Sequence, residues 1–81
     1  MTQDEIESGI AQAIRRIAPE ADMQAIGADE DLRESLDIDS FDFLNFLVAL
    51  HEKLGVDIPE SDYAKVRTLG ALTAYLSART Q

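Results

Sequence analysis

The sequence predicts an all-α fold, a small four-helix bundle of three main helices plus one short helix, with a long loop between the first two. Three observations predict it. Apolar residues recur at 3.6-residue spacing in three separate segments. Start and stop signals for helices bracket each segment. No stretch alternates apolar and polar residues as a half-buried strand would, and no repeat or low-complexity tract appears. The 81 residues suit a single domain spanning 1–81. Such a chain has a thin core.

In the first helix, Ile6, Ile10, Ala13, Ile14 and Ile17 share one face. Thr2 and Glu5 stand at capping-box spacing, and Pro19 stops the helix. Gly9 weakens its interior by about 1 kcal/mol relative to Ala. Residues 20–39 lack periodicity and read as a long ordered loop anchored by Met23, Ile26, Leu32, Leu36 and Ile38, with one helical turn expected at Asp29–Leu32. The second main helix starts at Asp39 or Ser40 and runs to Leu54, where Gly55 follows as the terminator and Lys53 suits the last turn. Asp57-Ile58-Pro59 is an extended step, because the residue before proline avoids the helical region. Glu60 to Val66 reads as the short helix, showing Tyr63 and Val66 to the core. Thr68 then caps a last helix carrying Leu69, Leu72 and Leu76.

The second main helix has two apolar faces. Phe43, Phe46, Leu47, Leu50 and Leu54 fall in one arc of about 100° and form an ordinary core face. Phe41, Leu44 and Val48 occupy another arc, rimmed by Asn45, His51 and Glu52. This second face either packs under the 20–39 loop or stays open to a partner.

Sixteen acidic residues against seven basic ones give a net charge of −9. From Glu20 to Asp62, thirteen acids face two bases, Arg33 and Lys53. Nucleic acid and anionic membrane surfaces, which need cationic partners, are excluded as ligands. A 46% hydrophobic composition opposes disorder. There is no cysteine, hence no disulfide, thiolate nucleophile or thiolate metal site. The acidic first residues do not read as a secretory signal, and the longest apolar run, Phe46–Leu50, cannot span a bilayer. A cytoplasmic monomer is expected.

The stretch Asp37-Ile38-Asp39-Ser40-Phe41-Asp42 reads first as a helix start, with Asp39 as cap and Asp42 against the positive helix end. A sharper reading makes Ser40 a modification site, its hydroxyl exposed where a long loop meets a helix. A phosphoester there would meet free backbone N–H groups. Leu32, Leu36-Asp37-Ile38-Asp39-Ser40-Phe41-Asp42, the apolar helix and the later Gly55-Val56-Asp57-Ile58-Pro59 step resemble an acyl carrier protein over nearly the whole chain. The resemblance implies an acyl-carrier-like bundle with 4′-phosphopantetheine carried on Ser40, Asp39 beside it, and acyl groups held as thioesters on the arm. It also implies a docking surface of Phe41, Asp42, Leu44, Asn45, Val48, His51 and Glu52. The implied partners are a phosphopantetheinyl transferase and acyl-loading ligases or synthases with basic patches, in fatty acid biosynthesis or a specialised lipid or secondary-metabolite pathway. Three departures stand out. Asp37 replaces the family's usual Gly, so a left-handed backbone there must be borne by Asp. Phe41 replaces Leu, which is also similar to D-alanyl carrier proteins. Asn45 and His51 stand where many members are acidic.

Three other readings were weighed against these residues. Catalysis by Ser40 would need a base, yet the sole histidine, His51, lies eleven residues along the same helix, about 16 Å away. No catalytic residue is assigned. A calcium loop starting at Asp37 would need an oxygen ligand at Phe41, Gly at Asp42 and Glu at Val48, so no metal site is assigned. An unmodified acidic adaptor would use the same second apolar face without chemistry at Ser40. Because Asp37, Asp39 and Asp42 flank Ser40 and no base lies close in sequence, a phosphate there is expected to be held loosely.

The acid block carries self-repulsion in a fold whose whole stability is roughly 4–12 kcal/mol. The melting temperature is expected to rise with added salt and with millimolar Mg²⁺. A thermal melt that stays flat across both titrations would contradict this.

Overall fold

The computed structural model describes residues 2–80, and the chain forms α1 (Gln3–Ile17), α2 (Leu32–Ser35), α3 (Ser40–Leu54) and α4 (Leu69–Thr80). Two 3₁₀ segments, Met23–Ala25 and Glu60–Val66, complete it. Among the described residues there is no strand, only one isolated antiparallel bridge between Asp31 and Thr68. No helix among them is long and apolar enough to cross a membrane.

The capping signals act as the sequence implies. Thr2 accepts from the Glu5 N–H at 3.1 Å, while the Glu5 carboxylate accepts the Thr2 N–H at 3.3 Å. Asp39 accepts from the Asp42 N–H at 2.9 Å, and Thr68 from the Ala71 N–H at 3.1 Å. Gly55 ends α3 at φ 70°, a conformation that costs a side-chain-bearing residue. Gly9 earns its place in α1: a Cβ there would meet Leu54 Cδ2 at 2.7 Å, so its absence lets α1 and α3 approach.

The core is one cluster. Ile6, Ile10, Ala13 and Ile14 of α1 meet Phe43, Phe46, Leu47 and Leu50 of α3, with Leu72 and Leu76 of α4 closing the third side. Leu32, Leu36, Val56, Ile58 and Val66 seal it from the connections. Ile17, Leu54, Leu69 and Tyr63 pack half-buried against this cluster, the first three at element ends.

The long loop differs from expectation. Met23, Ile26 and Ile38 do anchor it against the core, but it contains a 3₁₀ turn and a helical turn of its own. That turn is Leu32–Ser35, beginning where Asp29–Leu32 was expected to end. The reason is Asp31, whose carboxylate accepts from the Arg33 and Glu34 N–H groups and so caps the next residues. The segment Glu60–Val66 is 3₁₀ rather than α-helical, and its Pro59 cap has no side-chain acceptor.

Asp62 fastens that segment to α4. Its Oδ2 accepts from the Tyr75 hydroxyl at 2.6 Å and from Arg79 at 3.3 Å, and Oδ1 pairs with Lys65 at 3.2 Å. Arg79 also lies over the Tyr75 ring, 4.6 Å from its centroid. The Tyr75 and Lys65 hydrogen bonds hold the Asp62 carboxyl below its ordinary value despite burial, and the same bond raises Tyr75. A carboxyl with a depressed folded pKa stabilises fully above its unfolded value and loses that contribution as pH falls through the folded one. Asp62→Asn should therefore lower the melting temperature at neutral pH by several degrees, with the gap to the parent narrowing as pH falls below the ordinary carboxylate range. Parallel melting curves from pH 7 to pH 2.5 would overturn this.

Candidate functional site

The site is built where α2 ends and α3 begins. α2 closes in a Schellman arrangement: the Asp37 N–H donates to the Glu34 carbonyl at 3.2 Å and the Ile38 N–H to the Arg33 carbonyl at 3.0 Å. This requires a left-handed residue at position 37, and Asp37 takes φ 54°. The glycine-like backbone anticipated there is present, carried by Asp. Ile38 turns inward as a half-buried anchor, and the chain emerges at Asp39, which caps α3. Ser40 follows as the first residue of α3, exposed.

The second face of α3 lies open rather than under the 20–39 loop. Phe41 is 69% exposed, Val48 48% and Leu44 39%. Asn45, His51 and Glu52 are exposed and Asp42 is half-buried. These residues do not form one flat patch. Leu44 turns toward a cavity beside Ser40, while Asp42, Asn45, Val48 and Glu52 border a groove shared with Arg16 and Ile17 of α1. Glu52 is engaged by Arg16 at 3.0 Å, and His51 Nδ1 lies 3.2 Å from the Val56 carbonyl oxygen, which can only accept. Both are thus partly committed within the chain.

The cavity beside Ser40, about 280 Å³, lies between α3 and the 60–66 segment. Phe43, Leu44, Tyr63 and Ala64 give it apolar walls, and Arg33 and Arg67 complete the lining. Two bases thus line a cavity with Ser40 although none flanks it directly in sequence. The Arg67–Asp31 ion pair at 2.9 Å and the Leu32 N–H to Arg67 carbonyl bond at 2.7 Å bring the start of α4 against α2. Burial pushes the Asp31 carboxyl up, but the Arg33 and Glu34 N–H groups and the Arg67 guanidinium outweigh it, leaving it below its ordinary value. Arg33 was legible only as one of two bases in an acid block, and Arg67 carried no sequence signal toward the site.

An exposed serine at the head of α3 is open to modification by another protein, and the helical frame around it is that of carrier domains. The comparisons agree: the family described as Phosphopantetheine attachment site matches residues 8–76, and the chain belongs to that family. It is 36% identical over 76 residues to the meromycolate extension acyl carrier protein of Mycobacterium tuberculosis, covering 94% of this chain and 65% of that protein. It is 30% identical over 82 residues to the acyl carrier protein of Acidothermus cellulolyticus, covering 99% and 94% of the two chains. The acyl carrier protein of Kineococcus radiotolerans is 33% identical over 76 residues, with 94% and 93% covered.

The left-handed Asp37 sets up a direct test of the approach to Ser40. Asp37→Gly should stabilise the fold by about 0.5–1 kcal/mol, because relief of the left-handed penalty outweighs the added freedom of the unfolded chain. Urea denaturation checks it. An unchanged or lower midpoint would mean that Asp37 supplies something beyond its backbone.

Proposed function

We propose that this chain is an acyl carrier that presents an acyl or aminoacyl group as a thioester on a 4′-phosphopantetheine arm attached to Ser40. The observation that carries the reading is the setting of Ser40 in a phosphopantetheine-family chain: exposed, first in α3, behind a satisfied Asp39 cap. The free N–H groups at the head of α3 and the arginines of the adjacent cavity suit a phosphoester there.

Attachment joins Ser40 Oγ to the pantetheine-side phosphorus of coenzyme A. The bond to the 3′,5′-ADP portion breaks, and the serine proton passes to a base on the transferase, where Mg²⁺ assists. This chain supplies the nucleophile and its placement and does no chemistry of its own. The bound arm supplies the terminal thiol that carries cargo.

Delivery rests on the acid block and the open α3 face. The acids draw basic partners, the transferase and loading or synthase enzymes of the cytoplasm among them, and Phe41, Leu44 and Val48 give an apolar seat. Fast encounter with modest affinity suits a shuttle. The mycobacterial relatives named for meromycolate extension favour a specialised lipid pathway. Phe43 and Phe46, buried with centroids 6.0 Å apart, favour a cargo that is short or lies outside the core.

The test is intact mass after incubation with a phosphopantetheinyl transferase and coenzyme A. A phosphopantetheine-sized increment, absent in Ser40→Ala, is expected, and no increment with any transferase would leave the adaptor reading. In the same assay Leu44→Asp and Val48→Asp should load at least tenfold more slowly with unchanged circular dichroism. Parent rates in both would reject the α3 face as a docking surface.

A further inference from the structure

Two of the seven basic residues of this strongly acidic chain line the small cavity that holds Ser40. Their states differ. Arg67 is half engaged, one guanidinium nitrogen bonded to Asp31 at 2.9 Å. Arg33 has no side-chain hydrogen bond or ion pair among the described residues, and its Nε is buried without an acceptor. A buried charged donor left unmatched is costly, and protein folds retain few of them. Arg33 sits in α2, whose end is fixed by the Schellman bonds, so the group is presented rather than dangling.

An anion attached at Ser40 would lie at the wall of the cavity that Arg33 also lines. The carboxylates nearest Arg33 in sequence do not serve as its acceptor. Asp31 is engaged by Arg67 and two backbone N–H groups, Glu30 by the Ser35 hydroxyl and Asp39 by the Asp42 N–H, while Glu34 and Asp37 are exposed. A phosphodiester on Ser40 Oγ is tethered at the cavity wall and needs no binding entropy of its own. Its two charged oxygens match the guanidinium fork. Asp31 offsets Arg67, so Arg33 is the cation of this cavity without a carboxylate bonded to it, set against the repulsion of Asp37, Asp39 and Asp42 around Ser40.

We infer that Arg33, with Arg67 beside it, is an intramolecular phosphate clamp that seats the phosphodiester of the Ser40 arm. The clamp directs the first part of the arm into the cleft between α3 and the 60–66 segment. It rests on Ser40 bearing the arm, and it replaces the expectation of a loosely held phosphate with a fixed one.

The experiment compares ¹⁵N-labelled unmodified and phosphopantetheinylated protein, with intact mass confirming the modification. The Arg33 Nε–H resonance should shift on modification and exchange with water at least tenfold more slowly. The ³¹P transverse relaxation rate should fall at least twofold in Arg33→Gln, and by a smaller but measurable amount in Arg67→Gln and in Arg33→Lys, which keeps the charge but loses the fork. Dispersed amide spectra certify the fold of each variant, and Arg33→Lys against parent carries the comparison if Arg33→Gln does not fold. An Arg33 resonance indifferent to modification, or ³¹P relaxation indifferent to all three substitutions, overturns the clamp while Ser40 attachment stands. A protein that never gains the mass increment overturns the attachment, and the clamp falls with it.

Discussion

The seam between Asp31-Leu32 and Arg67-Thr68 holds the functional end of this protein together. Leu32 donates its N–H to the Arg67 carbonyl at 2.7 Å, Asp31 pairs with Arg67 at 2.9 Å, and the Gly70 N–H reaches the Ala28 carbonyl at 2.9 Å. These bonds join the long interhelical loop to the head of α4. Leu32, fully buried at the same point, ties the seam to the core. Buried backbone groups must be paired, so the loop cannot lift away here without losing several bonds at once. The orientation of α2, and through it the turn at Asp37 and the exit at Ser40, follows from this seam.

A second constraint comes from α3, which serves two masters. Its inner face packs Phe43, Phe46, Leu47 and Leu50 against α1, close enough that Gly9 is needed beneath Leu54. Removing a ring such as Phe46 would cost about 3–5 kcal/mol, a large part of what a domain of this size has. That rigidity holds the outer face in place, so Phe41, Leu44 and Val48 can stay exposed without the helix turning to bury them. The Asp62 network performs the matching task on the far side, holding the Tyr63–Ala64 wall of the Ser40 cavity to α4 through Tyr75 and Arg79.

Charge is distributed with the same division. The acid block makes a long-range field that suits basic partners. Within it, two of the seven bases, Arg33 and Arg67, line one cavity. Fields over the surface sum all charges, whereas a cavity feels its nearest groups most strongly. One chain can thus be anionic to an approaching protein and still set arginines beside a group attached at Ser40.

What the sequence determined by itself was whatever depends on near neighbours in the chain. The three main helices, the Thr2, Asp39 and Thr68 caps, the Gly55 stop and the two faces of α3 all follow from spacings of a few residues. The Asp39-Ser40 motif was legible through its resemblance to carrier proteins, and that resemblance implied the left-handed backbone at Asp37. The α2 turn was misplaced by a few residues because Asp31 is held both by its own capping bonds and by Thr68 and Arg67, over thirty positions away. Tyr63 packs half-buried against the core, as its spacing with Val66 implies, and the fold also makes it a wall of the cavity beside Ser40. Only the tertiary structure decided that the outer α3 face is open and that Arg33 and Arg67 meet beside Ser40. Periodicity says which residues share a face, but not what lies opposite it. That is settled by how the long loop folds back on α4.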